Sequence, residues 1–223
     1  MSPLPPPEER EWPMPKLGIR VDDLAHKGAT IFFDVVDPLG ALREAVIASF
    51  TWLYTSEKHP DNVEGINLIL RSMPGVAYTH GSHTHKEIHF SLDHIVNSES
   101  RARHEIMGVL VHEVVHCFQY NGKSTAPGGL IEGIADFVRL NASYAPPHWK
   151  RCPSTDGQWD AGYQTTGFFL DWLEQRYGYG TIRELNDAML DREWDPHIFK
   201  EVTGRKVEKL WRLYCAESGA QSM

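Results

Sequence analysis

The chain has 223 residues, 41% of them hydrophobic, and a formal net charge of -8. That length can bury a substantial core, while the scattered basic residues argue against a nucleic-acid or anionic-membrane surface. No stretch approaches the ~18 to 20 consecutive apolar residues of a membrane helix, and the three cysteines, Cys117, Cys152 and Cys215, are odd in number and far apart, against a disulfide framework.

The opening MSPLPPPEEREWPMPK is rich in proline, which removes backbone donors and fixes φ. Residues 1–16 are therefore expected to form a flexible arm before a single domain over 17–215, with a flexible tail at 216–223. No basic segment is followed there by an apolar run, so the chain as written reads as cytoplasmic, with secretion open to a processed or truncated N-terminus. Residues 29–36 are β-branched and aromatic and predict a buried strand. Asp37-Pro38 predicts an N-cap with proline at the first helical position, opening a helix over 39–54. A second strand is expected over 65–70, and Met73-Pro74-Gly75 turns into a third over 76–78. Residues 87–92 alternate Ile88, Phe90 and Leu92 with His89 and Ser91, the pattern of a half-buried strand. From Arg101 onward the periodicity is helical, over 101–121, 129–142, 158–177, 181–191 and two shorter segments up to Cys215. A β-rich first half and a helical second half make an α+β arrangement.

The segment Met107-Gly-Val-Leu-Val-His-Glu-Val-Val-His-Cys-Phe118 is apolar on every side except at His112, Glu113 and His116, so it predicts a helix buried all round. Unpartnered polar groups there would each cost several kcal/mol of hydration, about 2–7 by transfer measurements. The three residues spell H-E-x-x-H. Two histidines four apart stand one helical turn above each other and reach one ion at about 2.0 to 2.1 Å. Glu113, about 100° around the helix from His112, faces the ion's open position as a general base. A chance match with two core histidines is the bland alternative, and the burial of the helix weighs against it.

A catalytic zinc needs a third protein ligand. The longer H-E-x-x-H-x-x-G-x-x-H pattern fails, because Gln119 and Gly122 stand at its last two marked places. On the next predicted helix, Leu130, Ile134, Phe137 and Val138 form a core stripe, and Glu132 and Asp136 lie one turn apart on another face. Two such acids are ordinarily a solvated surface. Here they closely follow a metal helix lacking its third ligand, and Gly133 and Ala135 beside them permit close helix approach. Glu132 is read as the third Zn2+ ligand and Asp136 as the acceptor of a ligand histidine's outer N–H.

These residues carry a resemblance. Gly108-Val-Leu-Val-His-Glu-Val-Val-His116 and Ala126-Pro-Gly-Gly-Leu-Ile-Glu-Gly-Ile-Ala-Asp-Phe-Val-Arg-Leu140 closely resemble the basic secretory protein family, a peptidase family of plants and bacteria. The likeness extends through Tyr144-Ala-Pro-Pro-His-Trp149, Trp159-Asp-Ala-Gly-Tyr163 and Phe168-Phe-Leu-Asp-Trp172, covering Lys16 to Cys215. It implies a zincin-like fold, with a small twisted mixed sheet over the active-site helix and a helical C-terminal lobe. It also implies Glu132 as a ligand, by likeness to glutamate-ligated zinc peptidases. The acidic composition departs from the family's name.

The expected function is a zinc metallopeptidase acting on peptide or protein substrates, with Glu113 passing the water proton to the leaving amine. Tyr163, a polar-tipped ring among small residues at a helix start, is the candidate donor to the tetrahedral intermediate; packing of an amphipathic core residue is its alternative. The strand over 87–92 is expected at the rim of the cleft, where an extended peptide adds to its edge. His80, His83 and His85 read as a solvated hairpin loop, and Cys117 as packing. Two other readings stand beside the peptidase. One is a zinc enzyme acting on a small molecule in a biosynthetic pathway; the other is a zinc-stabilised binding protein without turnover, for which a general base would have no use.

Overall fold

Four short runs with apolar residues on one face pair into a mixed sheet, and helices fill the rest of the fold. A computed structural model of the protein describes residues 12–151 and 157–220. The strands are β1 (Lys16–Val21), β2 (Gly65–Arg71), β3 (Ala77–Gly81) and β4 (His85–Ser91), in the order β1-β2-β4-β3. β1, β2 and β4 run parallel, and β3 is antiparallel to β4. Ile66, Leu68, Leu70, Ile88 and Phe90 are buried in the core on the helical side. On the opposite face, Arg20 and Asn67 are exposed.

The helices are α1 (Lys27–Val35), α2 (Pro38–Leu53), α3 (Leu92–Asn97), α4 (Ala102–Phe118), α5 (Gly128–Asn141), α6 (Tyr163–Tyr177), α7 (Thr181–Asp187), α8 (His197–Thr203) and α9 (Val207–Ala220). α2 begins as expected: the Asp37 carboxylate accepts from the Gly40 N–H at 2.6 Å and proline follows the cap. α4 is covered by α2, β3 and α5, which is why nearly all its side chains are buried. No described helix is long and apolar enough to cross a membrane.

The strand expected over 29–36 is instead α1. Gly28, Ala29, Ile31 and Phe32 are buried at helical spacing, while Phe33 is exposed. His26 Nδ1 accepts from the Gly28 N–H at 3.0 Å and caps the start. A β-propensity difference of ~1 kcal/mol yields to burial of residues such as Phe32 and Ile31, worth about 1.5–3 kcal/mol each. Strand β1 and helix α3 went unmarked in the sequence; Leu92, expected in a strand, opens α3 behind the Ser91 cap, whose hydroxyl accepts from the His94 N–H. α6 starts at Tyr163 rather than near 158, because Gly162 turns the chain at φ +91°.

Residues 12–16 and 216–220, the described parts of the expected flexible ends, lie against the fold. Trp12 stacks on Phe50 at 5.4 Å, which anchors the segment leading into β1; residues 1–11 lie outside the described part. The helix α9 continues to Ala220, past Cys215. Glu217 holds it to α6 by accepting from Trp172 Nε1 at 2.9 Å and from Arg176 at 2.6 Å.

Two glycines set the spacing of the site's helices. A Cβ at Gly108 of α4 would meet Arg139 Nε at 2.6 Å, and one at Gly133 of α5 would meet Thr166 Cγ2 at 2.2 Å. Gly133 thus serves the approach of α5 to α6, whereas Gly108 serves that of α4 to α5. Thr166 cannot retreat: its hydroxyl donates to the Trp159 carbonyl and accepts from the Gly162 N–H. Gly133→Ala gains ~1 kcal/mol of helix propensity but incurs overpacking of about 1–3 kcal/mol. A lower melting temperature is the expected net result; a higher one would show that α6 yields freely.

Candidate metal centre

Most of α4 is buried, so a polar side chain on it loses much of its hydration and must be met by protein or by an ion. His112 Nδ1–H donates to Asp136 Oδ1 at 2.7 Å. On the other side of the ring, His112 Nε2 lies 3.1 Å from Glu132 Oε2 and 3.1 Å from His116 Nε2. His116 Nε2 is 3.7 Å from the same Glu132 oxygen. Glu132 and Asp136, one turn apart on α5, therefore take opposite nitrogens of one imidazole.

Two ring nitrogens and a carboxylate oxygen converging this closely repel one another unless a proton or a cation lies among them. The titration of the residues reflects this. Burial pushes the His112 imidazole down, but hydrogen bonds to Asp136 and Glu132 and the charges of Asp136 and Glu113 outweigh it and raise it to about 9. Burial likewise pushes Glu132 up, and hydrogen bonds from His112 and His116 hold it well below the usual carboxylate range.

The Gln119 amide lies 2.9 Å from His116 Nδ1. With its nitrogen toward the ring, Gln119 Oε1 is buried without a hydrogen-bond partner among the described residues. The same amide nitrogen donates to the Ile131 carbonyl at 3.3 Å, so it is held between that carbonyl and the His116 ring. Gln119, at the place where the longer histidine pattern has glycine, thus has a use that the motif gave no means of finding.

Glu113 is buried, and Thr79 on β3 reaches it from above. Thr79 Oγ1 lies 2.7 Å from Glu113 Oε2 and 2.9 Å from the Glu113 carbonyl oxygen, so one hydroxyl proton is shared between them. A cleft of about 900 Å³ opens over Glu113, the two histidines and Glu132, with Val76 and, on β3, Ala77 to Thr79 along its side. The expectation that the strand over 87–92 forms the rim is corrected here. β4 is paired on both sides, by β2 and β3, and β3 carries the free edge.

Tyr163 is 61% exposed at the mouth of the cleft, which removes its reading as a core residue. Its ring is parallel to that of His112, with centroids 6.3 Å apart, and the charge of Glu132, followed by burial, raises its phenol. At φ +46° it occupies the left-handed region, which costs a non-glycine residue about 1–3 kcal/mol.

A second polar group lines the cleft and was not anticipated. Glu105 of α4 accepts from Arg139 Nη2 at 3.1 Å and from Arg101, and lies 2.9 Å from His94 Nε2. Arg139 also donates to the Tyr144 carbonyl at 3.0 Å and lies over the Trp149 ring. Spacing within α4 marks Arg101 and Glu105 as a helical pair, but nothing local joins them to Arg139.

The histidine loop divides. His83 lies in the turn and contacts Asn62, His85 opens β4 and contacts Thr84, and His80 lies on β3 against Glu87 and His89. Cys117 is buried and donates toward the Glu113 carbonyl; burial pushes its thiol far up, consistent with packing. Cys152 lies outside the described residues.

Neither a curated protein nor a solved structure matches the chain. A family does: residues 14–214, spanning the sheet, α4, α5 and most of α9, match the family described as peptidase of plants and bacteria. The chain belongs to this peptidase family, the one its H-E-x-x-H and Glu-Gly-Ile-Ala-Asp segments resemble.

Proposed function

We propose that the chain is a zinc-dependent metallopeptidase of zincin-like design, with His112, His116 and Glu132 as ligands and Glu113 as general base. The convergence of three electron-rich atoms within 3.1 to 3.7 Å of one another supports the reading best. An ion bound at about 2.0–2.1 Å from three tetrahedral ligands sets them roughly 3.3–3.4 Å apart, in the range of these separations. The donor set also suits the ion, since borderline Zn2+ takes imidazole and carboxylate together. Asp136, by accepting the outer N–H of His112, turns the Nε2 lone pair of that ring inward.

Zn2+ at this site supplies a Lewis acid that lowers the pKa of the attacking water and polarises the scissile carbonyl. Glu113 takes the water's proton and returns it to the leaving amine, its carboxylate steadied by Thr79. The free edge of β3 offers main-chain hydrogen bonds to an extended peptide lying along the cleft. The Tyr163 hydroxyl donates to the oxygen that becomes negative as the carbonyl turns tetrahedral.

The test is metal analysis of the purified chain together with mass spectrometry of a peptide-mixture digest, with and without chelator. Chelator-sensitive cleavage is expected; stoichiometric zinc with no cleavage would favour the small-molecule or binding reading. Tyr163→Phe, at an exposed position, should leave KM and stability nearly unchanged and lower kcat about 100- to 1,000-fold, the usual effect of losing one such donor. An unchanged kcat would remove Tyr163 from the mechanism.

A further inference from the structure

The hairpin β3–β4 carries a second set of ligand-type side chains on the face of the sheet turned away from α4. His80 of β3 stands directly opposite Glu87 of β4. His89 follows two residues along β4, on the same face as Glu87. His80 Nε2 and His89 Nε2 are 3.1 Å apart, and Glu87 Oε2 lies 3.4 Å from the first and 3.3 Å from the second.

We propose that His80, Glu87 and His89 form a second site for a divalent transition-metal ion of the zinc type, separate from the centre on α4. Three ligands at about 2.0–2.1 Å from a tetrahedral ion lie roughly 3.3–3.4 Å apart, close to the triangle with sides of 3.1, 3.3 and 3.4 Å found here. It is more regular than the triangle formed by His112, His116 and Glu132. Two imidazoles and one carboxylate favour a borderline ion over calcium or magnesium, which require six or more oxygens or a largely hydrated octahedral shell.

The frame is already built. Tyr78, opposite His89 on the neighbouring strand, stacks on its ring at 4.7 Å and 3°, and on the His80 ring at 5.7 Å and 28°. The His89 side chain is only 6% exposed, and its Nδ1 is buried without a hydrogen-bond partner among the described residues. Its polar engagement is thus confined to Nε2, the atom facing His80 and Glu87. Those two side chains are partly exposed, at 54% and 39%, so an ion has a path from solvent and an outward position for water.

The site's placement ties it to the cleft. Successive strand side chains point to opposite faces, so Thr79, which reaches Glu113, sits between Tyr78 and His80, which face outward. An ion bridging His80 to Glu87 and His89 fastens the edge strand β3 to β4 at the residues flanking Thr79.

The test uses the full chain, stripped of metal and dialysed against buffered Zn2+, with bound zinc counted by elemental analysis. Five proteins are compared: wild type, His80→Ala, Glu87→Gln, the double variant His112→Ala/His116→Ala, and that double variant with His80→Ala added. His80→Ala and Glu87→Gln should each bind one ion fewer than wild type, or bind it at least ~10-fold more weakly, since even outer-shell losses cost about 10- to 100-fold. The double variant should retain an ion that adding His80→Ala then removes, a result that does not depend on whether the centre on α4 holds zinc. Wild-type stoichiometry and affinity in both hairpin variants would overturn the proposal, leaving the cluster a hydrogen-bonded triad. His80 and Glu87 are exposed enough that metal-free melting should match wild type, which separates ligand loss from misfolding. If the double variant does not fold, the comparison of wild type with the two hairpin variants decides the matter.

Discussion

Glu113→Gln should leave zinc bound and lower turnover by about 100- to 10,000-fold, the contribution typical of a positioned general base. That span corresponds to roughly 3–5 kcal/mol of barrier. The substitution is nearly isosteric, and the glutamine retains an oxygen to accept the Thr79 hydroxyl that now lies 2.7 Å from Glu113 Oε2. Stability should therefore change little. The amide, however, cannot take a proton from water at neutral pH. Because Glu113 is not among the three converging atoms, zinc content measured beside peptide cleavage separates the base from the ligands. Full activity with full zinc would show that another group takes the proton; lost zinc would move Glu113 into the ligand set.

Glu105→Gln should destabilise the fold by about 3–5 kcal/mol, as breaking a buried ion pair does when one charge is left behind. The charge left behind is Arg139, whose side chain is 9% exposed beside a Glu105 side chain at 7%. Burial pushes the Glu105 carboxyl up, but hydrogen bonds from His94 and Arg101 and the charges of Arg139 and Arg101 outweigh it and lower it to about 2. A carboxylate lowered from an unfolded value near 4.5 stabilises the fold above that pH and ceases to do so as pH falls toward 2. A shift of this size corresponds to something on the order of 3 kcal/mol. Denaturation of wild type should therefore steepen between about pH 4.5 and 2, and the variant should lose much of that acid limb. Equal stability of the two proteins at pH 7 would refute the account. Since Glu105 and Arg139 join α4 to α5, the variant should also bind zinc more weakly.

The helix α4 was legible in the sequence because burial on every side makes three polar residues conspicuous, and i, i+4 spacing places His112 and His116 on one face. The same spacing put Glu132 and Asp136 on one face of α5, and they lie against opposite nitrogens of the His112 ring. Helix starts backed by side-chain chemistry were legible too, as at Asp37-Pro38. The segment 29–36 misled because its residue types favour strands while its burial follows a helix. Propensity there is a smaller quantity than the packing of Ile31 and Phe32.

Sequence by itself determined, then, α2 and the helices from α4 onward, the segments that become β2 to β4, and the candidate ligands within single helices, all of which depend on residues a few positions apart. Tertiary structure alone decided that β3 and not β4 bears the free edge, that Thr79 meets Glu113, that Glu105 pairs with Arg139, and that His80 joins Glu87 and His89 rather than His83 and His85. Periodicity fixes which face a side chain takes but not which strand lies beside it. Strand order and helix contacts are set by burying distant apolar surfaces together, and a pattern read along the chain carries no record of those distances.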